Sequence, residues 1–184
     1  MTRISVPAID EIPTESKELL GWIMQTQPTG KVLNMQAQLA VAPATLAGYV
    51  ALRRVTEEHG TLDPKTRTAV LAMSGAALGV PYVERLGARI AASGGWQPEE
   101  IVRLTEGLGS GDEKLDSLLA VVGEAGRNLG VVDDAAWEQA AHSGWTPEQL
   151  TESFAYFAIA MYTAYFTNFA ATELDVPSVL STEA

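Results

Sequence analysis

The sequence predicts an all-α fold, and three observations carry that prediction. Apolar residues recur at spacings of three and four along the chain. Helix starts are marked at Asp63, Thr146 and Asp133, and breaks fall at Pro28-Thr29-Gly30, Gly60 and Gly79-Val80-Pro81. A segment of the chain also repeats 49 residues later: Ala91-Ala92-Ser93-Gly94-Gly95-Trp96-Gln97-Pro98-Glu99-Glu100-Ile101 pairs with Ala140-Ala141-His142-Ser143-Gly144-Trp145-Thr146-Pro147-Glu148-Gln149-Leu150. At the same offset Asp63-x-Lys65 meets Asp112-x-Lys114, so each copy reads as helix, glycine break, helix and Gly-Trp turn. About eight to nine helices are expected, with no sheet.

In chain order, Thr14 to Lys17 offers a cap for a first helix whose Leu19, Leu20, Ile23 and Met24 share a face and which ends near Gln27. A short segment from Val32 to Val41 follows, then a helix over Ala44–His59 that stops at Gly60, a residue suited to a left-handed C-cap. Asp63 caps the next helix and Pro64 takes its first position, where no amide donor is lost. This helix runs to Leu78 with small residues at Ser74, Gly75 and Ala76, and should be buried. Gly79 ends it, and Pro81 opens a helix over Val80–Ala92. The capping box Thr146-Pro147-Glu148-Gln149 launches a long last helix. Its uncharged stretch from Ser153 to Thr172 is about as long as a membrane span, but it carries Ser153, Thr163, Thr167 and Asn168 without flanking basic anchors, and reads as a buried core helix.

With 184 residues, 47% of them hydrophobic, the chain can bury one sizeable core, and residues 1–184 are expected to form a single domain. A formal net charge of −11 repels phosphate backbones and anionic headgroups, which disfavours nucleic-acid and membrane-surface roles and leaves small molecules or protein as partners. There is no cysteine, so thiolate chemistry and disulfides within this chain are excluded. The N-terminal stretch has no apolar run of signal-peptide length, and a cytoplasmic location is expected. His59 and His142 close helices and have no companion at metal-ligand spacing, so neither a metal nor another cofactor is expected.

The stretch from Asp63 to Gly95, together with Gly30-Lys31-Val32-Leu33-Asn34-Met35 and Thr172-Glu173-Leu174-Asp175-x-Pro177, resembles the carboxymuconolactone decarboxylase and AhpD-like alkylhydroperoxidase superfamily. The resemblance implies an AhpD-like helical bundle and a homo-oligomer, a trimer or a hexamer built from trimers. It also locates the family's reactive groups. The acidic residue after Arg falls on Thr68, the two cysteines on Val80 and Val83, and the histidine on Gly87. In the decarboxylase branch only Tyr82 keeps its identity. A C-terminal histidine found in several such proteins lies near Asn168, an amide that can orient a ligand but cannot shuttle protons.

Two valines, a threonine and a glycine cannot act as nucleophile, base and relay, so the chain should not reduce alkyl hydroperoxides with dithiol donors. Val80, Val83 and Gly87 share a helical face, which predicts an apolar concavity for a small molecule, with Thr68 and Asn168 as further ligand contacts. Glu84, one turn after Val80, is the candidate acid or base and Tyr82 its companion; Arg85 and Arg89 read as a solvated or interface stripe. Three functions are compatible with this reading. The first is a thiol-independent lyase, decarboxylase or isomerase acting on an apolar or carbonyl-containing molecule. The second is a ligand-binding protein, and the third a structural subunit whose old site is packed shut.

Overall fold

The computed structural model describes residues 2–180, and among them there are nine α-helices and no strand. After a 3-10 turn at Ile9–Glu11 come α1 (Thr14–Thr26), α2 (Asn34–Leu39), α3 (Pro43–His59), α4 (Pro64–Leu78), α5 (Pro81–Ser93), α6 (Pro98–Thr105), α7 (Glu113–Arg127), α8 (Asp134–His142) and α9 (Pro147–Ala170). One hydrophobic cluster draws on every one of the nine. The expected boundaries hold to within about two residues, the ordinary uncertainty of helix ends.

Helix α4 is the axis of the bundle and packs against α5, α6, α7 and α9. Its small residues make this possible. A Cβ on Gly75 would stand 2.8 Å from the Val83 carbonyl oxygen, and one on Gly87 would stand 2.9 Å from Ala72 Cα, so α4 and α5 meet backbone to backbone. Across the other face, a Cβ on Gly126 of α7 would come within 2.6 Å of the Ala77 methyl. The helix starts and stops as its sequence dictates: Asp63 accepts from the Lys65 and Thr66 amides at 2.9 and 3.1 Å, and Gly79 takes the left-handed conformation at φ 62°. At the head of α9, Thr146 and Gln149 exchange the two bonds of a capping box.

Three expected caps are not made. Thr14 lies inside α1 with Pro13 at the cap, and the Ser16 hydroxyl donates to the Ala40 carbonyl, tying α1 to the end of α2. Asp133 occupies the cap position of α8 without a side-chain bond there; its amide instead donates to Glu124. Gly60 is extended rather than left-handed, and a Cβ there would collide with the Thr56 carbonyl and with the Tyr156 hydroxyl. Close approach, not backbone handedness, is why that residue is glycine.

The internal repeat is structural. Helices α4, α5 and α6 correspond to α7, α8 and the start of α9, and equivalent residues make equivalent contacts. The Trp96 indole donates to the Lys65 carbonyl at 3.2 Å, and the Trp145 indole to the Lys114 carbonyl at 2.7 Å. The ammonium of each lysine lies over the ring whose N–H its carbonyl accepts, 4.2 Å from the Trp96 centroid and 4.9 Å from that of Trp145.

The segment after α9 straps the fold together through Asp175. One carboxylate oxygen accepts from the Tyr82 hydroxyl at 2.7 Å; the other accepts from the Asn34 amide at 3.1 Å and lies 3.5 Å from the Lys31 ammonium. Tyr82 is 4% exposed, and burial, reinforced by the Asp175 carboxylate, pushes its phenol pKa upward. Tyr82→Phe removes a buried bond to a charged acceptor and should lower the unfolding free energy by about 1.5–3 kcal/mol. Urea denaturation measures this; a change within error of zero would mean that the strap does not hold. No helix among the described residues is long and apolar enough to cross a membrane, and α9 buries ten of its positions in the core.

Candidate ligand-binding site

A cavity of about 390 Å³ opens between α3, α4, α5 and α9, with the loop after α1 at its rim. Helix α5 contributes Val83, Leu86, Gly87 and Ile90, the i, i+3, i+4, i+7 stripe of one helical face. Leu71, Ile159 and Ala160 extend this apolar wall from α4 and α9. The polar lining includes Arg67, Tyr156, Tyr49, Arg53 and Glu57.

Each polar group has a definite setting. The Arg53 guanidinium lies 5.0 Å from the centroid of the Trp22 ring and 6.0 Å from that of Tyr49, 3.5 Å from the Glu57 carboxylate, and donates to Thr26. Tyr156 donates to the Thr56 carbonyl at 3.3 Å, with the Arg67 guanidinium and the Glu152 carboxylate beside its phenol. Burial raises the Tyr156 pKa, which Arg67 partly opposes, so the phenol keeps its proton at neutral pH. Arg67 forms no ion pair among the described residues.

Glu152 anchors this corner from behind. Its oxygens accept from the Thr61 amide and hydroxyl and from the Leu62 amide at 2.6–3.2 Å. Burial alone would raise its pKa, but these donors outweigh burial and hold it below the usual carboxylate value. A carboxylate that ionises more readily folded than unfolded contributes stability above the unfolded pKa, ~4.3, and that contribution is lost as the pH falls through the folded value. Asp63, where burial is the largest single effect but the Thr66 and Lys65 donors together outweigh it and hold the pKa low, adds to the same acid limb. Glu152→Gln should therefore cost stability at neutral pH and flatten, without abolishing, the decline of Tm below about pH 4.3. An unchanged acid limb would contradict the assignment.

Of the residues selected from sequence, Thr68, Val83 and Gly87 reach this cavity. The Thr68 hydroxyl is engaged, donating to the Pro64 and Lys65 carbonyls and accepting from the Trp96 indole at 3.1 Å. Gly87 does not leave the space expected where an imidazole stands in the family, because the Ala72 backbone fills it. Val80 is buried at the cap of α5 and is not part of the lining. Tyr82 is held by Asp175 in the strap, away from the cavity. Asn168 is exposed near the end of α9, where its carbonyl accepts from Arg3.

Glu84 lies outside the cavity, in a separate depression with Pro81, Arg85, Ala88 and the C-terminal Val179 and Leu180. At about 100° per residue, the stripe of Val83, Leu86, Gly87 and Ile90 is centred roughly a third of a turn from Glu84. Lying one turn after Val80 was not enough to bring it in. The groups that sequence reasoning missed are Tyr156, Arg53, Tyr49 and Arg67. Arg67 directly precedes Thr68 in the quoted motif, and Tyr156 carries a hydroxyl on the buried stripe of α9; those were the available signals. No three His, Cys, Asp or Glu side chains among the described residues gather as a metal ion would need.

A glycine break between α4 and α5, with α9 closing the cavity over them, gives the chain the fold of AhpD-like proteins. It is similar to the debrominase Bmp8 in complex with 2,3,4-tribromopyrrole, with a TM-score of 0.82 and 14% identity over 95% of this chain and 92% of that one. It is also similar to an uncharacterized peroxidase-related protein from Ralstonia eutropha JMP134, described as an alkylhydroperoxidase AhpD core, with a TM-score of 0.81 and 17% identity over 95% and 92% of the two chains. A third, an uncharacterized peroxidase-related protein from Silicibacter sp. TM1040, has a TM-score of 0.78 and 14% identity over 94% and 91%. No protein-family model and no curated protein matches the sequence. At these identities the likeness is one of fold.

Proposed function

We propose that the chain binds an apolar or carbonyl-containing small molecule in the cavity between α3, α4, α5 and α9, without thiol chemistry. The observation that carries this reading is the open cavity itself, apolar over most of its wall, with Arg67 and Tyr156 as neighbours in its lining. A site packed shut, as a purely structural subunit requires, would have no such space. That the AhpD-like debrominase Bmp8 is seen in complex with a small brominated ring supports a ligand of similar size.

Catalysis is the second reading, favoured by the Arg67 guanidinium in the lining, which can donate to a carbonyl oxygen as negative charge develops there. The lining holds donors but no free base: its one carboxylate, Glu57, is paired with Arg53, and Glu152, outside the lining, is occupied by Thr61 and Leu62. A decarboxylase or other lyase step, in which donors stabilise the developing anion, fits that lining better than base-initiated isomerisation, and Glu84 is not the group to carry it. Mass spectrometry of small molecules released on denaturing the purified protein tests the binding reading, and turnover of the released compound then tests the catalytic one. A compound recovered in proportion to protein is expected; release of none, with no saturable uptake of small aromatic compounds, would contradict both.

The exposed face of α9 carries Phe154, Tyr165 and Phe169, with Met161 half-buried between them, and supports self-association as a trimer or a hexamer. Sedimentation velocity should give a multiple of 19.6 kDa; a species at that single mass would contradict it.

A further inference from the structure

We infer that the ligand carries a carboxylate, and that Arg67 is the residue that receives it; this rests on the cavity reading above. The cavity wall holds three charged side chains, Arg53, Glu57 and Arg67. Arg53 and Glu57 lie 3.5 Å apart and answer each other, with Arg53 further held by the Trp22 and Tyr49 rings. The wall is left with one unanswered positive charge, in a chain whose formal net charge is −11. Glu152 stands behind Tyr156, outside the wall, and spends its oxygens on Thr61 and Leu62 instead of on Arg67.

An arginine facing a largely apolar space retains its hydration only while water fills that space. A ligand that expels the water must replace its bonds, and a planar carboxylate matches the guanidinium fork with two parallel bonds. The Tyr156 hydroxyl beside Arg67 keeps its proton and spends it on the Thr56 carbonyl, so it sets no negative charge against the carboxylate. A phosphate dianion is a poorer match, because one guanidinium leaves most of its acceptors unpaired among Leu71, Val83 and Ile159. The ligand class is thus a small monocarboxylate with a compact apolar body lying against the α5 stripe.

The test is a calorimetric titration of the full chain with a matched pair, 4-ethylbenzoate and 4-ethylbenzyl alcohol, which share the apolar body and differ in charge. The carboxylate should bind at least about tenfold more tightly than the alcohol, on the scale of one bond to a charged group. In Arg67→Met, which keeps much of the stem, the two should bind alike, and Arg67→Gln provides the same comparison should the first variant fail to fold. Equal binding of both probes by the parent chain would overturn the inference and leave the cavity reading standing. Saturable binding of neither would take the cavity reading down with it. A preference that survives in Arg67→Met but vanishes in Arg53→Met would overturn the assignment to Arg67.

Discussion

Trp96→Ala and Trp145→Ala should each lower the unfolding free energy by about 3–5 kcal/mol, the range for deleting a large buried aromatic side chain. The two rings are 5% and 8% exposed and occupy equivalent places in the repeat. Each joins a Gly-Trp turn to the first turn of a bundle helix, α4 for Trp96 and α7 for Trp145, by packing and by the indole bond to a lysine carbonyl. Trp→Phe at either position keeps most of the packing and gives up the indole donor, so it should cost clearly less than Trp→Ala. Equilibrium urea denaturation reads all four variants. A loss below about 1 kcal/mol for either alanine variant would mean that the repeat in sequence is not a repeat in energetics.

Ala160→Phe should reduce small-molecule binding by about a hundredfold or more while leaving the fold intact. Ala160 is almost wholly buried, yet lines the cavity, so a larger side chain there has somewhere to go. The stability measurement separates the two states of the site. Filling an open cavity should cost little, whereas forcing a phenyl ring into a packed core costs about 1–3 kcal/mol. A variant that is stable and no longer binds supports the open site; one that is strongly destabilised indicates that neighbouring side chains already fill the space.

Much of this fold was legible because its signals are local. Asp63-Pro64, Gly79-Val80-Pro81 and the Thr146 capping box each specify a helix end within four residues, and each end forms as read. The repeat was legible because its tryptophans and lysines keep the same offset. Where sequence reading failed, the deciding contact lies far along the chain. Gly60 is extended and a Cβ there would meet the Tyr156 hydroxyl from α9, while Ser16 is drawn from a capping role to the Ala40 carbonyl. The candidate site shows the same division. Its α5 wall was partly visible through Val83 and Gly87, which share a helical face. The meeting of Arg67 with Tyr156 was not, since no spacing within α4 or α9 points to the other helix. Glu84 looked eligible by turn count alone, but it lies about a third of a turn from the α5 stripe that lines the cavity and falls in a separate depression.

The measurement that bears most directly on the open cavity is the crystal structure of the protein under xenon pressure, because xenon enters apolar cavities without needing a charged partner. An ordered xenon atom among Leu71, Val83, Ile90 and Ile159, absent in Ala160→Phe, is the result expected of this structure. Side chains meeting across that space with no xenon between them would contradict the ligand-binding account and favour a packed structural subunit.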